Sequence, residues 1–253
     1  MPTRLDIFVG GLYTNSDGCI AKVIEYAKWD NVTIEFQDKH RFKKVVRADS
    51  IKNGSFRNPY YKSLLGVGYI GVGKHRPKEN GKKSQVYIHW TGMMTRGYSV
   101  RYTALKPSYM GCTVCEEWHN LQTFADWLEE QIGFGEGFHL DKDLLLKGNK
   151  IYSPETCVLI PNNLNVLLTS AKSKRGILPI GVSYHKIKGK YCSSVRNNNV
   201  LKHLGVFSTT EDAFYAYKEA KESHIKELAN QYKDQIDPRA YNALMSWEVD
   251  IDD

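Results

Sequence analysis

The stretch ILPIGVSYHKIKGKYCSSVRNNNVLKHLGVFS, residues 177–208, decides the fold of the C-terminal third of the chain. Its short apolar runs, separated by turns that carry glycine and asparagine, predict three short strands. A helix should follow, opened by a capping box from Ser208 to Glu211 and stopped at Asp237-Pro238. Its apolar positions share one face that can cover the sheet: Phe214, Tyr217, Ile225, Leu228 and Tyr232. The other face of the sheet then lies in solvent.

Charge is distributed unevenly along this chain of 253 residues, whose net charge is +7. No acidic residue occurs between Ser170 and Thr210. The basic residues of that block are Lys172, Lys174, Arg175, Lys186, Lys188, Lys190, Arg196 and Lys202. A second basic zone runs from Lys39 to Lys106, and the centre between the two zones is acidic. This distribution suits a protein that binds phosphates at both ends and a cation between them, although a patchy solvated surface would explain any one zone.

The length of 253 residues predicts two or three small domains, and the strand and helix patterns along the chain predict the α+β class. No run of about 18 apolar residues occurs, and the N-terminal MPTRLDIFVGG lacks the apolar core of a signal peptide, so we expect an intracellular protein. Five cysteines at irregular spacing favour reduced thiols over a disulfide framework.

The first 60 residues alternate apolar and polar side chains between turns, which predicts a small antiparallel barrel or curled sheet. In WDNVTIEF, residues 29–36, Val32, Ile34 and Phe36 fall on one face. From Val86 to Ile132 the pattern is mainly helical. An apolar stripe at helical spacing should belong to the core: Trp118, Leu121, Phe124, Ala125 and Leu128.

Two motifs match the spacing of a nucleotide-binding loop and of a zinc site, but their sequence context does not favour either interpretation. In GVGYIGVGKHRPKENGKK, residues 66–83, the glycines satisfy G-x-G-x-x-G and nearly a P-loop, but a polar lysine loop follows instead of a helix. A glycine-rich linker without a nucleotide is the better interpretation. Cys112 and Cys115 have the spacing of a zinc knuckle, to which Cys157 and a histidine would have to add; buried thiols are the favoured alternative to a structural zinc.

The central HLDKDLLLKGNKIYSPETC, residues 139–157, reads as two short strands around a Gly-Asn turn. On an extended strand His139, Asp141 and Asp143 alternate onto one face, with Lys142 pointing away. Carboxylate oxygens bind hard cations, and imidazole titrates near neutral pH, so the spacing permits a metal and base cluster. A solvated charged hairpin is the alternative that the segment by itself leaves open.

The segments PIGVSYH, GKYCSSVR, HLGVFSTTEDAFYAY and KEA, between Leu178 and Tyr232, resemble the AP2 family of DNA-binding domains. The resemblance implies a three-stranded sheet laid in the major groove of DNA. The contact residues implied by the resemblance are Ser183, His185, Lys190, Ser194, Arg196 and His203. We also expect a DNA contact from Lys202, which belongs to the basic block.

The segments GVGYIGVG, CTVCEEWHNLQTFADW, LDKDLLLKGNKIYSPETC and PNNLNVLLT, between Leu65 and Thr169, resemble the HNH-type, homing-like endonucleases of bacteriophages. Many of these join such a nuclease to an AP2-like module. The resemblance implies a ββα core that holds Mg²⁺ or Mn²⁺ against a phosphodiester. The implied catalytic residues are His139, Asp141, Asp143, Asn149 and Asn165, of which His139, Asp141 and Asp143 would bind the metal.

We therefore predict three domains: an SH3-like small β-barrel over residues 1–62, an HNH-like nuclease over 63–172, and an AP2-like domain with a C-terminal tail over 173–253. The expected function is cleavage of double-stranded DNA in the cytoplasm of a phage-infected bacterium, without membrane or nucleotide cofactor, by a possible homodimer. The alternative is a nuclease-derived DNA-binding protein that no longer cuts and acts as a regulator or an inhibitor of a host system. A structural phage component is disfavoured because it leaves the basic sheet without a purpose.

Overall fold

The computed structural model describes residues 6–135, 137–169, 176–197 and 200–252. The predicted basic residues Lys172, Lys174 and Arg175 lie outside these ranges. The chain forms two compact units: the first contains Met1–Tyr102 and Glu116–Ala125, and the second contains Thr103–Cys115 and Asp126–Asp253. The protein is of mixed α+β class with several small sheets, as the sequence predicts. Among the described residues, no helix is both long and apolar enough to cross a membrane.

The first unit begins with an antiparallel meander in the strand order β1-β2-β3-β4. Its strands are β1 (Leu12–Thr14), β2 (Ile20–Lys28), β3 (Asn31–Phe36) and β4 (Lys43–Val46), and helix α1 (Ala48–Lys52) follows. Val32, Ile34 and Phe36 are buried on one face, as predicted.

The predicted closed barrel is wrong, because the four strands form an open sheet with β1 and β4 at its edges. The apolar face of this sheet is covered instead by Ile51 of α1 and by Phe56, which join its core. Covering by these side chains removes the need for the sheet to close on itself.

The remaining elements of the first unit follow the glycine-rich segment. They are β5 (Lys78–Glu79), β6 (Lys82–Lys83), α2 (Gln85–Tyr98), the start of α3 (Val100–Leu105), a 3₁₀ turn (Glu116–His119) and the start of α4 (Leu121–Glu129). Ser84 caps α2 by accepting a hydrogen bond from the Tyr87 amide. The predicted helical region is confirmed, and the five residues of its apolar stripe are all buried.

The second unit contains a strand–strand–helix arrangement. Strand β8 (Phe138–Asp141) pairs antiparallel with β10 (Val158–Pro161), and α5 (Asn162–Leu168) follows β10 directly. A separate two-stranded sheet pairs β7 (Thr113–Val114), which precedes β8 in the chain, in parallel with β9 (Ile151–Tyr152), and a 3₁₀ turn (Pro107–Tyr109) precedes β7. The predicted hairpin within residues 139–157 is therefore wrong, because each of its strands pairs with a segment outside it.

The C-terminal sheet has the predicted three strands, in the antiparallel order β11-β12-β13. They are β11 (Val182–His185), β12 (Lys190–Asn197) and β13 (Val200–Phe207), followed by α6 (Thr210–Gln231) and α7 (Pro238–Met245). Thr209, and not Ser208, caps α6 by accepting a hydrogen bond of 3.1 Å from the Asp212 amide. The predicted N-cap is thus wrong by one residue, and the Asp212 carboxylate accepts a hydrogen bond from the Thr209 hydroxyl.

Helix α6 serves two cores within the second unit. Its N-terminal half contributes Phe214 and Tyr217, which pack with Val195 of β12. Its C-terminal half contributes Ile225, Leu228 and Ala229 to a core that also holds side chains of β10, α5 and α7. One continuous helix of 22 residues therefore supports both the three-stranded sheet and the strand–strand–helix arrangement.

Asp237-Pro238 does not stop α6, which ends at Gln231, but begins α7. Proline suits the first turn of a helix because its missing N–H would be unpaired there anyway. The Asp237 carboxylate accepts a hydrogen bond of 2.7 Å from the Arg239 amide and pairs with the Arg239 guanidinium. Although burial raises the pKa of Asp237, these bonds outweigh it and hold the pKa below its ordinary value.

We expect Asp237→Asn to lower the free energy of unfolding by about 0.5–1 kcal/mol at pH 7, because asparagine still caps the helix but loses the ion pair. A depressed carboxyl pKa stabilises the fold above the unfolded-state pKa of about 3.9 and loses this contribution as the pH falls through the folded-state value. Urea unfolding should therefore separate the two proteins at pH 7 and bring them together near pH 2. An equal difference at both pH values would contradict the assignment to this carboxylate.

Candidate functional site

A cavity of about 280 Å³ in the second unit brings several predicted site residues together. Three of the predicted residues line it: Asp141, Asp143 and Asn165. The other lining residues are Ser108, Tyr109, Lys142, Leu144, Lys147, Leu168, Thr169 and Trp247. The carboxylates come from the end of β8 and the turn after it, while Asn165 comes from α5.

Asp141 is the last residue of β8, and its side chain stabilises the turn that follows the strand. Its Oδ1 accepts hydrogen bonds from the backbone amides of Asp143 at 2.8 Å and Leu144 at 2.7 Å. These bonds form an Asx turn, a local arrangement that competes with a continuing strand. Burial raises the pKa of the Asp141 carboxyl above its ordinary value, against the lowering effect of the two amides.

Because the strand ends at Asp141, the predicted alternation of residues 139, 141 and 143 does not extend to Asp143. Lys142 was predicted to point away from the carboxylates, and this is wrong. Its Nζ donates to Asp143 Oδ1 at 2.5 Å and to the Asn149 carbonyl at 2.7 Å, and its side chain is only 5% exposed. A buried ammonium needs such a partner, since an unpaired charge is costly to remove from water.

Asn149 orders the loop that follows Asp143. Its side-chain Nδ2 donates to the backbone carbonyls of Lys142 at 2.9 Å and Ile151 at 2.7 Å. Its Oδ1 accepts from the backbone N–H of Ile151 at 3.1 Å. These hydrogen bonds order the turn, and Asn149 does not line the cavity that holds Asp141 and Asp143.

His139 is exposed on β8, where it pairs with Ile160 of β10, and it does not line the cavity that holds the two aspartates. What sequence reasoning missed is the burial of Lys142 and its pairing with Asp143. The position of Lys142 between two aspartates was the available signal for this pairing. A lysine flanked by carboxylates is either solvated or paired, and the strand alternation favoured the solvated alternative.

The cavity contains the oxygen donor types that divalent cations take, and one of these oxygens, Asp143 Oδ1, is paired with Lys142. Among the described residues, no hydrogen-bond donor reaches Asp141 Oδ2, and Asp143 is half exposed. Within the same residues, no three side chains of the His, Cys, Asp and Glu types group closely enough to bind a metal by themselves. Mg²⁺ commonly binds through one or two carboxylates and takes its other ligands from water and substrate phosphate, so two aspartates and an asparagine suffice.

The outer face of the three-stranded sheet collects the implied DNA contacts. The strand register sets Ser183 opposite Cys192, His185 opposite Lys190, and Ser194 opposite His203. Because residues at alternate positions share a face, six of the seven predicted residues lie on the side away from the buried Ser193 and Val195. These six residues are Ser183, His185, Lys190, Ser194, Arg196 and His203.

Lys202 belongs to the opposite face, because it pairs with the buried Val195. The strand also contains a bulge after His203: Gly205 lies opposite Ser193 while His203 lies opposite Ser194, so Leu204 is the extra residue. Gly205 adopts a φ of 151°, within the range that favours glycine. The predicted contact through Lys202 is thus placed away from the other six residues.

The two disfavoured motifs have structural roles. Gln122 donates to the carbonyls of Ile70 and His75 and accepts from the His75 amide, which pins the glycine-rich segment against α4. Cys112 and Cys157 are buried, and burial raises the pKa of the Cys157 thiol to about 12. At neutral pH Cys157 is therefore a thiol.

The chain matches no protein-family model, no curated protein and no solved structure. The resemblance to AP2 and HNH proteins accordingly rests on the quoted motifs and carries over only as a proposal.

Proposed function

We propose that the protein is a divalent-metal-dependent endonuclease that binds duplex DNA through the outer face of the β11-β12-β13 sheet. The observation that carries this proposal is the meeting of Asp141, Asp143 and Asn165 in one cavity. The basic sheet in the same unit supplies a surface for phosphates.

Each group in the cavity has a defined part in this proposal. Asp141 and Asp143 would hold the cation, which supplies a Lewis acid for the phosphate and a more acidic bound water. The backbone amides of Asp143 and Leu144 fix the Asp141 carboxylate, so its Oδ2 keeps one direction. Lys142 holds Asp143 in place and brings a positive charge near the position of the phosphate. Asn165 adds a neutral amide from the first turn of α5.

A DNA-binding protein that does not cut is the second candidate. Two observations favour it: His139 does not line the cavity, and Lys142 already neutralises Asp143. A nuclease of this kind needs a base near the water, and among the residues that the structure describes no histidine lines the cavity.

Supercoiled plasmid distinguishes the two candidates. We expect the purified protein to convert it to open-circular or linear forms in Mg²⁺ or Mn²⁺, and EDTA should prevent the conversion. His139→Ala should retain most of this activity, because His139 lies outside the lining of the cavity. DNA that is retarded on a gel but intact with either metal would reject the nuclease and support the binding protein.

A further inference from the structure

The glycine-rich segment ends in a short basic hairpin to which the proposed function gives no role. We name it the lysine hairpin, residues 78–83. Lys78 pairs with Lys83 and Glu79 with Lys82, across a turn formed by Asn80 and Gly81. Both turn residues have positive φ, 50° and 78°, as a two-residue type I′ turn requires. The hairpin is thus encoded locally by the Asn-Gly pair, and all six of its residues are exposed.

The base of the lysine hairpin is fixed to the start of α2. The Ser84 amide donates to the Pro77 carbonyl at 3.1 Å, and Ser84 Oγ donates to the Arg76 carbonyl at 2.7 Å. The same buried Ser84 caps α2, whose Trp90 is completely buried. The lysines therefore lie on a turn that is already ordered. Binding through them costs less conformational entropy than binding through a flexible basic tail.

Three lysines against one glutamate leave the lysine hairpin with a net charge of +2, and Glu79 lies opposite Lys82. Lys78 and Lys83 are directly opposite each other, and like charges at such a position destabilise a strand pair. Lys82 and the adjacent Arg76 are exposed as well. In the part of the chain that the structure describes, no carboxylate forms an ion pair with any of these four cations. A bound polyanion would attract each of these cations and so offset the repulsion between them.

We propose that the lysine hairpin is a second DNA-binding element, which contacts backbone phosphates and reads no bases. This inference rests on the proposed function in one respect, that the polyanion is duplex DNA. Lysine ammonium groups act as point charges toward phosphate and lack the planar geometry with which arginine pairs guanine. The hairpin therefore adds affinity and salt dependence to the binding of the sheet, without adding sequence preference.

The test compares two triple variants of the full-length chain that change the net charge equally. Lys78→Gln/Lys82→Gln/Lys83→Gln removes the hairpin cations, whereas Lys39→Gln/Lys52→Gln/Lys62→Gln removes three exposed lysines elsewhere in the first unit. Each phosphate contact contributes about 0.9 to the slope of log K against log salt concentration. We expect the hairpin variant to reduce that slope by about 2–3 on duplex DNA, equally for every sequence, and the control to change it by less than about 1.

Thermal unfolding accompanies both variants. The hairpin variant should be about as stable as the unchanged protein, because it loses both the Lys78–Lys83 repulsion and the Glu79–Lys82 attraction. Equal slopes for the two triple variants would overturn the hairpin assignment, and so would a change of sequence preference in the hairpin variant. If changes on the outer face of the sheet still weaken binding in that case, the proposed function survives. Absence of any DNA binding by the unchanged protein would reject the proposed function and the hairpin together.

Discussion

Asp141→Asn is expected to lower the cleavage rate by about 100-fold or more while preserving the fold, since changes to the surroundings of metal ligands already cost 10–100-fold. Asparagine retains an Oδ1 that accepts the hydrogen bonds of the Asp143 and Leu144 amides, so the Asx turn remains. It loses the negative charge that would hold the cation. Plasmid cleavage and Mn²⁺ binding by calorimetry measure the two effects separately.

The stability of the same variant supplies an independent check with a definite sign. Burial raises the folded-state pKa of Asp141, so ionisation of this carboxyl opposes folding. The unchanged protein then loses stability as the pH rises through that folded-state pKa, and the neutral asparagine does not. In EDTA, urea unfolding at pH 7 should find Asp141→Asn as stable as the unchanged protein or more stable, with the difference vanishing below about pH 3.9.

Asp234→Asn is the matched control, because it makes the same chemical change at an exposed position of the second unit. It should alter neither cleavage nor metal binding. Undiminished cleavage by Asp141→Asn would remove the cavity from the mechanism, whereas a destabilised variant would mean that Asp141 has only a structural role.

Arg196→Gln/Lys190→Gln is expected to lower the salt slope of DNA binding by about 2, because both cations lie on the outer face of the sheet. If Arg196 addresses a guanine, the loss also relaxes the preference at one base pair by about 1–3 kcal/mol. Fluorescence anisotropy over a series of salt concentrations, with specific and random duplexes, measures both quantities.

Lys202→Gln/Lys233→Gln is the control pair, which removes the same charge from the same unit. Lys202 pairs with the buried Val195 on the opposite face, and Lys233 follows α6. The control pair should leave the slope within about 1 of the unchanged protein. A reduction as large as that of the Arg196 and Lys190 variant would show that net charge, and not the outer face, governs binding.

Local patterns were enough to predict the C-terminal sheet and the core of the first unit. Val32, Ile34 and Phe36 alternate cleanly, and the segments between the strands of the C-terminal sheet carry glycine or asparagine, so each strand is specified by local residues. The helical stripe from Trp118 to Leu128 was correct for the same reason.

The predictions failed where a distant segment or a competing local bond decided the structure. Strand β8 pairs with β10, about twenty residues further along the chain, and a pattern within one segment does not specify such a partner. At Asp141 the side chain accepts two backbone hydrogen bonds and ends the strand, which turns Lys142 inward toward Asp143. The sequence therefore pointed to Asp141, Asp143 and Asn165 by residue type, but it did not predict that the Lys142 ammonium is buried beside Asp143.

Helix α6 has a consequence for where the protein would cut. At about 1.5 Å per residue, its 22 residues measure about 33 Å, close to one turn of B-form DNA. Because its two halves are built into the sheet core and the strand–strand–helix core, it fixes the distance between them, and in the proposed nuclease that distance would separate DNA recognition from cleavage. Breaks mapped at nucleotide resolution should then cluster at a constant offset from the bound sequence, and that offset should shift when whole turns are inserted into the helix.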